Sequence, residues 1–225
     1  MSDQPKTAPR ALFISFEGTE GCGKSTQMRI LTDRLRADGF TVVENQEPGG
    51  TAIGMQVRHL LLDPENAEMA PMAELLLMFA SRTQAAAQIV VPALERGDIV
   101  ISDRFTDSTL AYQGEGRGLG FETVLKEHKL ALGELFPDVT ICVDIDVEEG
   151  LARAHRRNQG TLAGLSEERL DRQSLAFHNR VREGYRKIAA LEPRRFRMVD
   201  GSGSIDAVAE RVWAEIAPHL RPVPA

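Results

Sequence analysis

The residues Gly18-Thr19-Glu20-Gly21-Cys22-Gly23-Lys24-Ser25 satisfy the pattern G-x-x-x-x-G-K-[ST] and follow the apolar run Ala11 to Phe16. Such a loop works only between a buried strand and a helix. Its glycines let backbone N–H groups turn inward around phosphate oxygens, its lysine reaches the β- and γ-phosphates, and its serine hydroxyl completes a Mg²⁺ shell. The short pattern also recurs by chance, so the flanks decide. Ala11 to Phe16 reads as a strand, and Met28, Leu31 and Leu35 recur at helical spacing after Ser25. Strand, loop and helix stand in the required order. Residues Gly18, Thr19, Glu20, Gly21, Cys22, Gly23, Lys24, Ser25 and Thr26 are therefore read as a nucleoside-triphosphate site.

A chain of 225 residues with 42% apolar content supports one substantial core. Residues 11–225 are expected to form a single domain behind a loose tail, Met1 to Arg10, whose Pro5, Pro9 and few apolar side chains do not make a secretory signal. No run approaches the roughly twenty apolar residues of a membrane helix. Cys22 and Cys142 fall in the phosphate loop and in a core strand, which fits reduced thiols in the cytoplasm. A net charge of -6 without interleaved basic and aromatic residues argues against nucleic acid as a partner.

Further strands are expected at Thr41 to Glu44, Ile99 to Ser102, Val139 to Asp144 and Phe196 to Val199. Helical patterns lie between them: Gly54 to Leu62, Ala73 to Glu95, Phe121 to Leu135, Val147 to Arg157, Glu167 to Ala190 and Ile205 to His219. This alternation implies an α/β fold: a three-layer α/β/α arrangement around a five-stranded parallel sheet, with ligands in the crevice at the carboxyl ends of the strands.

Those ends carry chemistry. Glu47-Pro48-Gly49-Gly50-Thr51 follows the second strand, and its glycines permit close approach to a ligand, although a turn alone would explain them. Asp103-Arg104-Phe105 follows the third, with a carboxylate placed to hold Mg²⁺ and an arginine able to grip phosphate. Elsewhere such a pair is a common surface dipeptide. Phe79 and Arg82 share one helical face, either as core aromatic and solvated charge or as wall and donor for a base.

With Leu77 to Arg82 (L-M-F-A-S-R), Ser108 and Ala111-Tyr112-Gln113-Gly114, these motifs resemble bacterial thymidylate kinase in order and spacing over nearly the whole chain beyond Arg10. The resemblance implies a P-loop kinase with a short lid at about 154–169, transferring the γ-phosphoryl group of ATP to the 5′-phosphate of dTMP with Mg²⁺ as cofactor. It implies that Phe79 stacks on thymine, that Arg82 donates to O4, and that Arg58 and Arg104 hold the acceptor phosphate. Tyr112 would lie beneath the sugar, Glu20 near its 3′-hydroxyl, and Glu47, Ser108 and Gln113 in the same pocket. Ser25 and Asp103 would serve the metal. No general base is needed, because the acceptor phosphate is already anionic near neutral pH.

Gly21 stands where one branch of the family places an arginine that acts on the transferring phosphoryl group. The resemblance therefore assigns that charge to the lid: Arg153, Arg157 and Arg169 join Lys24 and Arg104 as catalytic candidates, against the reading of a solvated helix face. Gln46 replaces a usual arginine, Cys22 a commoner alanine, and Glu168-Arg169-Leu170-Asp171 the usual D-R-x-E. Gly201-Ser202-Gly203 is expected near adenine. A homodimer is implied, with Ala73, Leu76, Leu77, Ala80 and Gln84 tracing one helix face that core burial would explain equally well. A guanine-specific switch is disfavoured by the lack of N-K-x-D and by D-x-x-G only at Asp200 to Gly203.

Overall fold

The computed structural model describes residues 11–159, 168–171 and 173–220, with the side chains of 157–159, 168 and 171 also outside the description. The expected tail at 1–10 and half of the expected lid at about 154–169, residues 160–167, lie outside these residues.

Five strands, β1 (Leu12–Glu17), β2 (Val42–Gln46), β3 (Ile99–Asp103), β4 (Val139–Asp144) and β5 (Phe196–Asp200), form one sheet in the order β2-β3-β1-β4-β5. Every pairing is parallel. β2 runs past its expected end at Glu44 because Asn45 pairs with Ser102 and Gln46 with Asp103. Ladder partners decide a strand end, and the polarity of Asn45 and Gln46 conceals them.

Among the described residues, and leaving aside two 3-10 turns, nine helices make the cover: α1 (Lys24–Ala37), α2 (Ala52–Leu62), α3 (Pro71–Glu95), α4 (106–116), α5 (Phe121–Leu132), α6 (Val147–Gln159), α7 (Glu168–Asp171), α8 (Leu175–Leu191) and α9 (Ile205–Ile216). α3 opens with Pro71, whose fixed φ suits a first helical turn, and widens to a π-helical turn at Ala86–Val90. It is long and apolar enough to cross a membrane, contrary to the expectation that no such run is present. In the fold it is a core helix whose buried side carries Glu74 and Arg82 in ion pairs. α5 stops at Leu132, before the expected Leu135, because Gly133 turns the chain at φ 65°.

Two further departures matter for the site. The helix expected over Glu167 to Ala190 is two pieces, and Ser174 starts the second by accepting from the Phe177 N–H at 3.2 Å. Residues 106–116, given no element by their small and polar composition, form α4, with Thr106–Thr109 α-helical and Leu110–Gly116 π-helical.

Strand alternation sorts β1. Leu12, Ile14 and Phe16 join Met28, Leu31 and Leu35 of α1 and Val208, Val212 and Ile216 of α9 in one core. Each such burial contributes about 1.5–3 kcal/mol. On the opposite face Phe13 meets Val90, Val100 and Phe105, Ser15 shares a hydrogen bond with Thr140 at 3.0 Å, and Glu17 is sealed under α4 and α8. Polar residues thus enter the core where β1 runs into the phosphate loop.

Candidate active site

β1 and β3 are neighbours, yet their following connections lead to opposite sides of the sheet, which opens a crevice at their carboxyl ends. The phosphate loop leaves β1 there. Gly18 has φ 139°, and a Cβ on it would lie 2.5 Å from the Val143 carbonyl oxygen. Gly21 has φ 66°, and a Cβ there would lie 2.0 Å from the Gly150 oxygen at the start of α6. The loop is clamped between β4 and α6, so Gly21 has no room for an arginine or any other side chain. Gly23 precedes α1 without a side-chain cap, and the first turn of α1 holds no acidic residue. That helix end remains receptive to an anion.

Asp103, at the end of β3, faces this loop. Lys24 Nζ lies 2.9 Å from its Oδ1, and the Ser25 hydroxyl donates to Oδ2 at 3.3 Å. Burial works against the Asp103 charge, but Lys24, Arg104 and the bond from Ser25 outweigh it and hold the carboxyl below its usual range. Among the described residues no group of three or more His, Cys, Asp or Glu side chains is suited to a metal ion. Ser25 and Asp103 suit a divalent ion that takes its other ligands from phosphate and water.

Arg104 adopts φ 73°, a left-handed conformation rare for an arginine. Its Nη1 donates to the Gly18 carbonyl (3.1 Å), Ser108 Oγ (2.9 Å) and Tyr185 OH (3.1 Å), and its Nη2 to Tyr112 OH (3.2 Å). One guanidinium thereby joins the triphosphate side to the opposite half of the cleft. Tyr112 in turn donates to Glu20 Oε1 at 2.6 Å, and Glu20 Oε2 lies 3.0 Å from His178 Nδ1. Burial raises the Glu20 carboxyl, but His178, Arg104 and Tyr112 together bring it down to about 2. Glu17 behaves oppositely: burial and the nearby Asp107 charge push it up to about 7. It accepts from the Phe105 N–H at 2.8 Å, from Tyr185 OH at 3.1 Å and from Ser108. Glu17, His178 and Tyr185 were missed in the sequence. Glu17 directly precedes the motif, and the other two look like ordinary residues on the buried face of α8.

The Glu47–Thr51 stretch works as a bracket for two arginines. Glu47 pairs with Arg82, the Pro48 carbonyl accepts from Arg58 Nη1 at 2.6 Å, and Thr51 caps α2 by accepting from the Gly54 N–H at 2.9 Å. Arg82 also donates to Thr109 Oγ1 at 3.0 Å and the Phe105 carbonyl at 3.1 Å. Its guanidinium sits 5.2 Å from the ring centroids of both Phe79 and Phe105. Among the described residues, one N–H group on each terminal nitrogen has no acceptor. Phe79 is 4% exposed and packs edge-on to His128, so its ring serves as a wall of the Arg82 slot. Met78, the preceding residue, turns toward Leu61 and Leu62 of α2.

The lid arginines divide. Arg169, expected at the transferring phosphoryl group, is 3% exposed, donates to the Leu61 carbonyl and lies 2.6 Å from Glu74. This corrects the expectation, since its charge is used to join α7 to α3. Arg153 pairs with Glu149 one turn earlier on α6, beside Ala154, whose backbone nitrogen abuts Gly21. Arg157 falls in α6, but its side chain lies outside the described residues. Gly201-Ser202-Gly203 follows β5, where Arg211 donates to the Asp200 and Ser202 carbonyls, both at 2.7 Å.

The family model described as thymidylate kinase matches residues 16–212. The chain is 47% identical over 204 residues to a thymidylate kinase of Pelobacter propionicus, covering 91% of this chain and 93% of that one. It is 50% identical over 193 residues to that of Citrifermentans bemidjiense, covering 86% and 85%. Among solved structures, thymidylate kinase from Ehrlichia chaffeensis superposes with a TM-score of 0.73 at 31% identity, covering 93% of this chain and 99% of the other. A phosphate loop facing an arginine-lined cleft, matched over nearly the full length of both relatives, leaves one conclusion: the chain belongs to the thymidylate kinase family.

Proposed function

We infer that this protein is a thymidylate kinase: it transfers the γ-phosphoryl group of ATP to the 5′-phosphate of dTMP, giving ADP and dTDP for dTTP synthesis. The observation that carries the reading is Arg104, whose single guanidinium bonds the phosphate-loop carbonyl of Gly18 on one side and Tyr112 on the other. A donor and an acceptor phosphate bound on either side of it would meet in line. Phosphoryl transfer needs little covalent chemistry from the protein, so position and charge carry the rate.

In this reading the loop N–H groups and Lys24 hold the ATP phosphates. Ser25 and Asp103 would hold Mg²⁺, which when bound neutralises charge across the β- and γ-phosphates. Arg58 and Arg104 hold the acceptor phosphate. Phe79 supplies the apolar wall for the base, and Arg82 offers its remaining N–H groups to O4. Tyr112 and Glu20 lie along the sugar, with Ser108 and Gln113 completing the lining. Glu47 fixes Arg82. Arg153 and Arg157, on the helix that abuts the phosphate loop, remain the candidates for charge over the transferring group, and the segment near them would form the lid of a single domain.

The dimer face proposed on α3 gains support from exposure. Leu76 of that face is 51% exposed, so burial in the monomer does not account for it, and Met72, one turn earlier on α3 and outside the face as first traced, is 42% exposed. We assign the enzyme to the cytoplasm as a homodimer. A thermal-shift panel tests the acceptor site, since a ligand that binds only the folded state raises the melting temperature. The expected result is a rise with dTMP, a smaller one with dUMP and none with GMP or AMP. Equal shifts for all would remove base recognition from this cleft.

A further inference from the structure

Glu74 lies one turn before Met78 and two turns before Arg82 on α3, and its side chain is fully buried. Burial alone would favour a neutral carboxyl. Bonds from Arg117 and Gln113, with the charges of Arg117 and Arg169, outweigh burial and hold Glu74 below its usual range. Gln113 Nε2 donates to Glu74 Oε1 at 2.7 Å, and Arg117 Nε donates to the same oxygen at 3.1 Å. Arg117 Nη2 and Arg169 Nη2 donate to Oε2 at 3.0 and 2.6 Å. An ionised carboxylate only accepts, so the Gln113 amide must present its NH₂ to Glu74. A flip would set the Gln113 carbonyl against a buried carboxylate and leave the NH₂ unpaired, which is costly. No described residue donates to Gln113 Oε1, although the residue is only 1% exposed.

The consequence concerns which base fits. Thymine offers a donor at N3–H beside the O4 acceptor, whereas cytosine offers an acceptor at N3 beside an amino donor. Resting on the reading of this cleft as the dTMP site, we propose that Glu74 is a specificity-positioning residue: it locks the Gln113 amide so that Oε1 faces the base as an acceptor for N3–H, next to the donors of Arg82. Cytosine then meets a mismatch at two adjacent positions. Glu74 touches no substrate and acts only through Gln113.

The test is the ratio of kcat/KM for dTMP over dCMP, which is independent of how much enzyme is folded. In Glu74→Gln the new side chain can donate to Gln113, the amide is free to flip, and the ratio should fall about tenfold or more. Glu74→Asp keeps an acceptor-only group and should retain most of the ratio. Gln113→Leu, which leaves the α3 carboxylate in place, should lose the ratio to a similar extent. The double variant Glu74→Gln/Gln113→Leu should lose no more than Gln113→Leu, because both act through one contact. An unchanged ratio in Glu74→Gln or in Gln113→Leu, or losses that multiply in the double variant, would overturn the proposal. A wild-type enzyme with no preference for dTMP over dCMP would instead refute the reading of the cleft itself.

Discussion

Glu17 and Glu20 stand on either side of the first glycines of the phosphate loop, and burial meets them with different partners. Glu17, facing hydroxyls, an N–H and the Asp107 charge, titrates at about 7, above the ordinary 4.5. Its contribution to stability is full below about 4.5 and is lost as pH rises through about 7. Glu20, with His178, Arg104 and Tyr112 outweighing burial, titrates at about 2, so its contribution is present above 4.5 and lost as pH falls toward 2. Chemical denaturation of wild type and Glu17→Gln between pH 5 and pH 8 separates the two. The expected result is that wild type loses stability relative to the variant as pH rises; parallel curves would show that Glu17 does not titrate there. Arg82 makes a second case at this scale. Arg82→Ala leaves Glu47 buried without its partner, and breaking such a pair costs about 3–5 kcal/mol. A lower urea midpoint is expected together with weaker dTMP binding and relaxed rejection of dCMP. A variant as stable as wild type would mean that the Arg82–Glu47 pair is not what holds the Glu47–Thr51 bracket.

Among elements, α6 and α4 show what the chain must satisfy to make the site. α6 presses Gly150 against the phosphate loop so closely that Gly21 can carry no side chain. Gly21→Ala should therefore lower stability by more than about 1 kcal/mol by urea titration, through both the clash and the positive φ. An unchanged midpoint would mean that α6 yields freely. The strands and their parallel sheet were legible from runs such as Ala11 to Phe16 and Val139 to Asp144, because a buried parallel strand must be apolar on both faces; the order of the strands was not. α4 was not legible. Its sequence from Thr106 to Gly116 has no apolar period, since α3, α5 and α8 enclose it and its hydroxyls are bonded internally. The motif residues Lys24, Asp103 and Arg104 were readable from their place after strands. Glu74, His178 and Tyr185 were not, because nothing in their local sequence distinguishes a buried ionic or hydroxyl partner from a surface one. Arg169 misled for the converse reason: an arginine in a basic stretch looks free until its carboxylate is found on a distant helix.

For the whole molecule, a parallel sheet that sends the connections of β1 and β3 to opposite sides places the phosphate loop and Arg104 at one crevice, with α3 behind the acceptor side. The same α3 presents Leu76 and Met72 outward. Leu76→Lys should convert a dimer to a monomer by sedimentation without altering the fold by circular dichroism; a persisting dimer would place the interface elsewhere. The function proposed for the cleft rests on ATP passing its γ-phosphoryl group to dTMP. A coupled ADP-release assay with ATP, Mg²⁺ and each nucleoside monophosphate in turn, against a control without acceptor, tests that most directly. Fast release with dTMP, slower release with dUMP and background rates with UMP, GMP and AMP are expected. Release that does not depend on dTMP would contradict the account and leave only the phosphate loop standing.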